Sequence, residues 1–593
     1  MVAATAPWTA HLLALLTVAL LASAPYWPSL DGDFVYDDPN AVSQSTLIRS
    51  LTPIQPFLQL STRPLTDYSY AINYAIGGLS PRPYHVTGVL LHACSAALVY
   101  VMAWLTLGLP SLAPRYGAAR HAIAWAAAAL FAIHPLASET VAYISSRSEG
   151  LVAVWYLLAV IAFVRAATAP PRRRGAWVVA MTVAAVAGAA SKETIFTLFA
   201  VLPAYDWLLL ADRRWQRVHW RIIAVPLVPL GVAALLLLLR ALSGTMSLGS
   251  YASTAGFSFD RFGPLQYLAT QFGVVVHYLR LVVLPIDQTF DYDWPLASAA
   301  APLAVLLPLA LLVGLGIGAW RLRATQPLAT FTAAWVLLTL APTSSVMPIA
   351  DLAVERRMYL PLVGIALLAA AWLHDARARV PVAYGLVIAA LVAALAPVTW
   401  QRATLWGDAI ALHQDGVRKA PGNPRTRLNL GVTYLNDGDP DRALAELVEA
   451  KRVYDQGVSL QAFPRIGAFI HYNLGAVLFA RQQFDEAEPQ LERSLEIGGQ
   501  YLALRPMAYM LLSRISAHRG DWTQATERME EALKYRQETD WRVDLAQMKW
   551  KSGNQLGALM TLDAILTEHP GYPRAVQMKA KLAGEAAAPK ATP

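Results

Sequence analysis

Leu303–Trp320 reads LAVLLPLALLVGLGIGAW, eighteen residues without a charge. As a helix rising 1.5 Å per residue, such a run comes close to crossing a hydrocarbon core ~30 Å thick. Working outward from it, Leu12–Ala24, Ala122–Ile133, Ala176–Ala190, Ile222–Leu239 and Val382–Pro397 read the same way. After Trp400 these runs stop and charges appear every few positions, so the chain changes solvent there. With 56% hydrophobic and only 15% charged residues among 593, the composition departs from that of soluble globular domains. The sequence predicts an all-α protein. It has a polytopic transmembrane helical bundle over 1–400, a linker over 401–422, a helical-repeat domain over 423–580 and a disordered Ala/Pro-rich tail over 581–593.

The net charge of +8 does not point to nucleic acid, because the excess arginine sits in short loops between apolar runs, as the positive-inside rule describes. Cys94 is the single cysteine, which excludes an intramolecular disulfide. Ala22-Ser23-Ala24 resembles a cleavage site, but no Lys or Arg precedes the first run and more runs follow, so it is read as a retained first helix.

Following the arginines from an inside amino terminus gives spans at about 9–28, 84–107, 120–134, 149–164, 175–190, 194–211, 222–240, 300–320, 327–345, 358–373 and 380–399. The segment 265–284 is the ambiguous one. If it crossed, Asp287, Asp291 and Asp293 would lie inside and Arg321 and Arg323 outside, both wrong-signed; His277 and Arg280 also argue against a lipid-facing span. Eleven crossings are expected, with the carboxyl-terminal domain outside. The remaining polar clusters then fall on one face: the first loop, His134–Glu149, Ser191–Glu193, Asp287–Asp293 and Asp351–Arg357.

The carboxyl-terminal part repeats a helix–turn–helix frame: Leu430-Gly431, Ala443 and Leu447; Leu474-Gly475, Ala487 and Leu491; Leu512, Gly520, Ala525 and Met529; Leu545-Ala546, Gly553, Ala558 and Leu562. Small residues stand where two helices touch and large ones fill between them, which is the tetratricopeptide (TPR) pattern. Arrays of this kind present a concave face to a peptide or protein partner.

The first loop contains Asp31-Gly32-Asp33-Phe34-Val35-Tyr36-Asp37-Asp38-Pro39-Asn40. Adjacent carboxylates at a water–membrane boundary can serve as a general base or bind a divalent cation; the same letters also spell an Asx-rich turn capping the next helix. Arg63-Pro64-Leu65-Thr66, Tyr84-His85, His134-Pro135, Glu139, Arg147, Ser191-Lys192-Glu193 and Glu355-Arg356-Arg357 stand at the ends of apolar runs. Each is a salt-bridged anchor or part of a site, and arginines and lysines there can grip a lipid-borne phosphate.

Taken in order, these motifs resemble those of membrane glycosyltransferases of the GT-C fold. In particular, the set is similar to the transmembrane-and-TPR protein O-mannosyltransferases and their bacterial relatives. The resemblance covers Phe34–Asp38, Arg63–Thr66, Tyr84-His85 with Leu91-His92, Phe131–Pro135 with Glu139, Ser191–Glu193 and Glu355–Pro361, and extends to the repeats. It implies an inverting transferase that moves a sugar from a polyprenyl-phosphate carrier to a protein hydroxyl on the extracytoplasmic face of the inner membrane, with the repeats, periplasmic, recruiting the acceptor or a partner. By carry-over one of Asp37 and Asp38 is the catalytic base. Arg63, His134, Lys192 and Arg356 are the candidates for the donor phosphate, with Tyr84, His85, Glu139, Arg147, Glu193, Glu355 and Arg357 in support. No cofactor is implied; the Asp37–Asp38 pair permits a divalent cation without requiring one. The repeat array is shorter than in animal members and the composition is Ala/Arg-rich. A glycolipid or surface polysaccharide acceptor, and a non-catalytic TPR scaffold, therefore remain the alternatives.

Overall fold

The computed structural model describes residues 8–242, 261–376, 384–457, 459, 463–498 and 504–587. The chain divides into two compact units, Met1–Leu412 and His413–Pro593, and every regular element among the described residues is a helix. The first unit contains α1 (Trp8–Ser23), α2 (Gln55–Leu60), α3 (Pro64–Gly77), α4 (Arg82–Leu107), α5 (Ala113–Tyr116), α6 (Arg120–Ala132), α7 (Ser138–Ala142), α8 (Arg147–Thr168) and α9 (Pro171–Ala189). It continues with α10 (Leu198–Tyr205), α11 (Trp220–Leu242), α12 (Pro264–Val283), α13 (Leu303–Arg321), α14 (Pro327–Leu340), α15 (Tyr359–Ala376) and α16 (Tyr384–Trp406).

In a bilayer, backbone amides must find partners within their own segment, so the uncharged runs become helices. Proline in the first turn of α3, α4, α9, α12 and α14 starts a helix where its missing N–H costs nothing. The centre is built on α6, whose residues Ala126–Ala132 are all buried against α4 and α15. Small side chains let the helix backbones approach closely where no water drives association. At the periphery, α13 has no buried residue.

Among the described residues, seven helices are long and apolar enough to cross a membrane, or eight if the bent pair Arg120–Ala132 and Pro135–Ala142 is one span. Trp220–Leu236 and Pro327–Leu340 are shorter apolar helices. Each of the eleven segments read from the sequence contains a helix, although 377–383, with Arg377, Arg379 and the start of the last span, lie outside the described residues; the fifth, α9, carries Arg172-Arg173-Arg174 in its first turn and is not among the apolar spans. The chain is thus a multi-pass membrane protein.

The loops gather at two ends. At the basic end, Arg115 pairs with Asp375 at 2.8 Å, Ser111 bonds the carbonyl of Leu209, and Trp372 bonds Gln326. Trp207 there stacks on both Trp215 and Trp320, which brings the loop of Arg213, Arg214 and Arg217 beside Arg321. The opposite end holds 30–63, 133–149, 190–193, 284–296 and 341–358. There, Arg82 pairs with Asp31, Leu65 N donates to Ala190 O, and Arg402 donates to Gln288 O.

The ambiguous segment is α12, which is not among the apolar spans. Tyr267 near its start bonds Thr343 O, Gln271 bonds Leu352 O, Tyr278 bonds Val354 O, and Val282 O at its end accepts from His134. Both ends are therefore tied to the same end of the bundle. A helix of this length spans ~30 Å, so a crossing would have put one end among the basic loops.

Most of 401–422, expected as a linker, is helical: α16 runs to Trp406 and α17 covers Ala409–Lys419. The second unit then pairs α18 (Pro424–Asn436) with α19 (Pro440–Gln456), α20 (Pro464–Ala480) with α21 (Phe484–Ile497), α22 (Arg505–His518) with α23 (Trp522–Tyr535), and α24 (Thr539–Lys551) with α25 (Gln555–Glu568), ending in α26 (Pro573–Ala587). These are the four repeats read from the sequence. A Cβ on Gly431 would lie 2.7 Å from Leu447, and one on Gly475 would lie 2.6 Å from Leu491, so each glycine marks a close helix crossing. The expected tail over 581–593 begins inside α26, and residues 588–593 lie outside the described residues.

Candidate active site

The loop after α1 is fixed before its carboxylates are placed. Pro25 and Pro28 end the regular helix in a 3-10 turn. Gly32 then crosses the end of α16 so closely that a Cβ would lie 2.8 Å from the Cα of Gly407. The His85 ring, on α4, bonds Gly32 O at 3.2 Å. Tyr36 takes φ +55°, a conformation rare for a side chain of its size, and turns the next two residues in different directions.

Asp38 points inward and is fully buried. Its Oδ2 accepts from Val35 N at 3.1 Å, and its Oδ1 accepts from Ser145 N at 2.8 Å and Ser145 Oγ at 2.6 Å. Burial nevertheless outweighs these donors and pushes the carboxyl up to about 7. Asp37 is exposed. Its N–H donates to Tyr143 Oη, which donates in turn to Asp37 Oδ2, both at 3.1 Å. Tyr143 stacks on Trp406 and meets Tyr36 edge-on. Burial, and then the charges of Asp37 and Asp38, raise its phenol well above the usual range, so it remains a donor. The Arg356 guanidinium is within electrostatic reach of the same phenol.

Two groups of ion pairs flank the aspartates. On one side, Arg63 grips Glu193 with Nη2 at 2.8 and 3.1 Å and Nε at 3.3 Å, while its Nη1 reaches Ser148. Lys192 pairs with Glu149, both nearly buried. Arg147 lies flat over Tyr70, donates to Tyr84 O at 3.0 Å and Ser69 Oγ at 3.3 Å, and is 2% exposed. Tyr70 connects this group to the aspartates, since its phenol feels Arg147, Asp38, Asp67 and Arg63. On the other side, Arg356 pairs with Glu139, whose Oε2 also accepts the Arg356 N–H. Glu355 is buried and accepts from Gln288 and Tyr292, with Arg402 at 3.5 Å. Arg357 donates to the carbonyls of Asp351 and Leu352.

Of the four cations expected at a phosphate, Arg63, Lys192 and Arg356 are thus each paired with a carboxylate. His134 is held differently: Nδ1 accepts Leu136 N at 3.2 Å, so Nε2 carries the proton given to Val282 O, and the ring is a neutral tie between α6 and α12. Tyr84, with its hydroxyl on Gly78 O, and His85 form the wall behind the Asp turn. Among the described residues no three His, Cys, Asp or Glu side chains converge as a metal site. Both oxygens of Asp38 already accept protein donors, so the pair does not present two free carboxylates to a cation. The sequence reading missed Tyr143, Ser145 and Arg402; Tyr143 and Ser145 lie inside the polar cluster 134–149, but their role depends on which oxygen they reach.

A tetratricopeptide-repeat family profile matches residues 472–501. A protein O-mannosyl-transferase of Caenorhabditis elegans is 24% identical over 464 residues, covering 72% of this chain and 60% of that protein. Protein O-mannosyl-transferase TMTC2 of Homo sapiens is 28% identical over 214 residues, 33% of this chain and 24% of its own length. The chain thus spans less than two thirds of these relatives' length. Among solved structures, ArnT from Cupriavidus metallidurans bound to undecaprenyl phosphate is 15% identical, with 91% of this chain and 81% of that chain covered at a TM-score of 0.35.

Proposed function

We propose that this multi-pass membrane protein, whose relatives are named protein O-mannosyl-transferases, is an inverting GT-C glycosyltransferase. It moves a sugar from a polyprenyl-phosphate carrier to a protein hydroxyl. The observation that carries the reading is the unequal aspartate pair: one carboxylate sealed by three donors, its neighbour exposed and held by a tyrosine. Asp37 is the base. It takes the proton of the acceptor hydroxyl as that oxygen bonds to the sugar's anomeric carbon, the bond to the carrier phosphate breaks, and polyprenyl phosphate leaves. Asp38 shapes the turn that presents Asp37. Base catalysis of this kind contributes about 10²–10⁴-fold. Arg63, Lys192 and Arg356 balance the charge that develops on the leaving phosphate.

The basic loops, gathered at one end, support a cytoplasmic position for that end, with the aspartates outside. The inner membrane, with the repeats periplasmic, is the location this supports, and the repeats recruit the protein acceptor.

The test compares wild type with Asp37→Asn and Asp38→Asn, using native membrane extract as the source of lipid-linked sugar and mass spectrometry of the products. Transfer by wild type that drops about 10²-fold or more in folded Asp37→Asn supports the assignment. Undiminished transfer by Asp37→Asn removes it. Transfer to a glycolipid and not to polypeptide would replace the acceptor.

A further inference from the structure

Resting on that reading, we propose that Glu193 is a placeholder on Arg63, holding the guanidinium until the carrier phosphate displaces it. Three ion pairs join the candidate phosphate cations to carboxylates, and they differ in how easily they can open. In Lys192–Glu149 both side chains are about 10% exposed, and in Arg356–Glu139 the carboxylate is 2% exposed and bonded to backbone as well. Opening either would strand a buried charge. In Arg63–Glu193 the carboxylate is 51% exposed, so of the three it is the one that water can reach when its cation changes partner.

The seat survives the exchange. Leu65 N donates to Ala190 O at 2.9 Å and Thr66 Oγ1 to Ser191 O at 3.1 Å, so the backbone beside Arg63 is tied down independently of the ion pair. The fork that Glu193 fills with two oxygens is the geometry a phosphate also matches. A second observation fits an anion here. Arg147, 2% exposed, makes no ion pair with a carboxylate among the described residues and its Nε has no hydrogen-bond partner, so a buried guanidinium, felt by the same Tyr70 phenol as Arg63, keeps one donor unused. No bond changes hands: Glu193 and the phosphate exchange on one guanidinium, and Glu193 returns when the carrier leaves.

The test measures binding of a short-chain polyprenyl phosphate to the full-length protein in nanodiscs, with the matching polyprenol and inorganic phosphate as separate arms. Glu193→Gln, close in shape, should tighten polyprenyl phosphate binding about two- to fivefold. Arg63→Ala should weaken it about tenfold. Arg63→Lys should weaken it less, and the gain from Glu193→Gln should vanish in the Arg63→Ala background. Phosphate-selective wild type with unchanged or weaker binding by Glu193→Gln overturns the placeholder alone, as does a gain that persists without Arg63. Equal binding of polyprenol and polyprenyl phosphate by wild type overturns the carrier assignment itself. Inorganic phosphate bound as tightly as the lipid would make the seat a free-phosphate site and overturn the exchange with a carrier.

Discussion

Asp38 carries a pH signature. Its folded carboxyl is raised to about 7 from an ordinary value near 4, because full burial outweighs the donors around it. The folded state therefore holds a proton that the unfolded chain has released, and the stability this adds is present in acid and lost as pH rises through about 7. Between about pH 4 and 7 one such proton changes stability by roughly 1.4 kcal/mol per unit, and above that window its slope disappears. The apparent Tm of the purified protein should fall across this window, with a shallower fall in Asp38→Asn; identical slopes would mean that Asp38 is ionised throughout. The Asp-Asp-Pro letters marked the turn, yet two identical side chains in a row offer no sequence difference to say which one faces water. The left-handed Tyr36 and the partners Ser145 and Tyr143, more than 100 residues away, make that choice.

At the scale of elements, apolarity and small-residue spacing were readable because each depends on a single helix. Of the eleven predicted spans, seven, or eight with the bent pair, coincide among the described residues with helices long and apolar enough to cross, and the four repeat frames coincide with α18–α25. Gly431→Ala should destabilise the second unit by ~1–3 kcal/mol, since the new methyl meets Leu447 at 2.7 Å. A denaturant midpoint equal to wild type would show that the crossing relaxes freely. For α12, single cysteines at Leu265 and Ser298, both exposed, in a Cys94→Ser background should react with an impermeant maleimide from the same side of the membrane. Labelling from opposite sides would make α12 a true crossing. Its sequence was ambiguous because it mixes His277 and Arg280 with apolar residues; its bonds to Thr343, Leu352 and Val354 give it a place along one end.

For the whole molecule, the change of solvent near Trp400 separates a unit that needs lipid from one built of paired amphipathic helices. Removing 423–593 should abolish transfer to polypeptide while leaving polyprenyl phosphate binding within about twofold of wild type, as the same nanodisc assay would read. Full polypeptide transfer by the truncated protein would remove acceptor recruitment from the repeats. The sequence by itself determined the membrane class, the helical segments, the repeats and the list of polar residues at one end, because hydrophobicity and spacing are properties of neighbouring residues along the chain. Only the tertiary structure decided that Asp37 and not Asp38 is exposed, that His134 is a neutral tie, and that Glu193 is the exposed carboxylate of the three ion pairs. Exposure and pairing are set by which distant segments meet, and a low-dielectric interior makes those meetings decisive for charge.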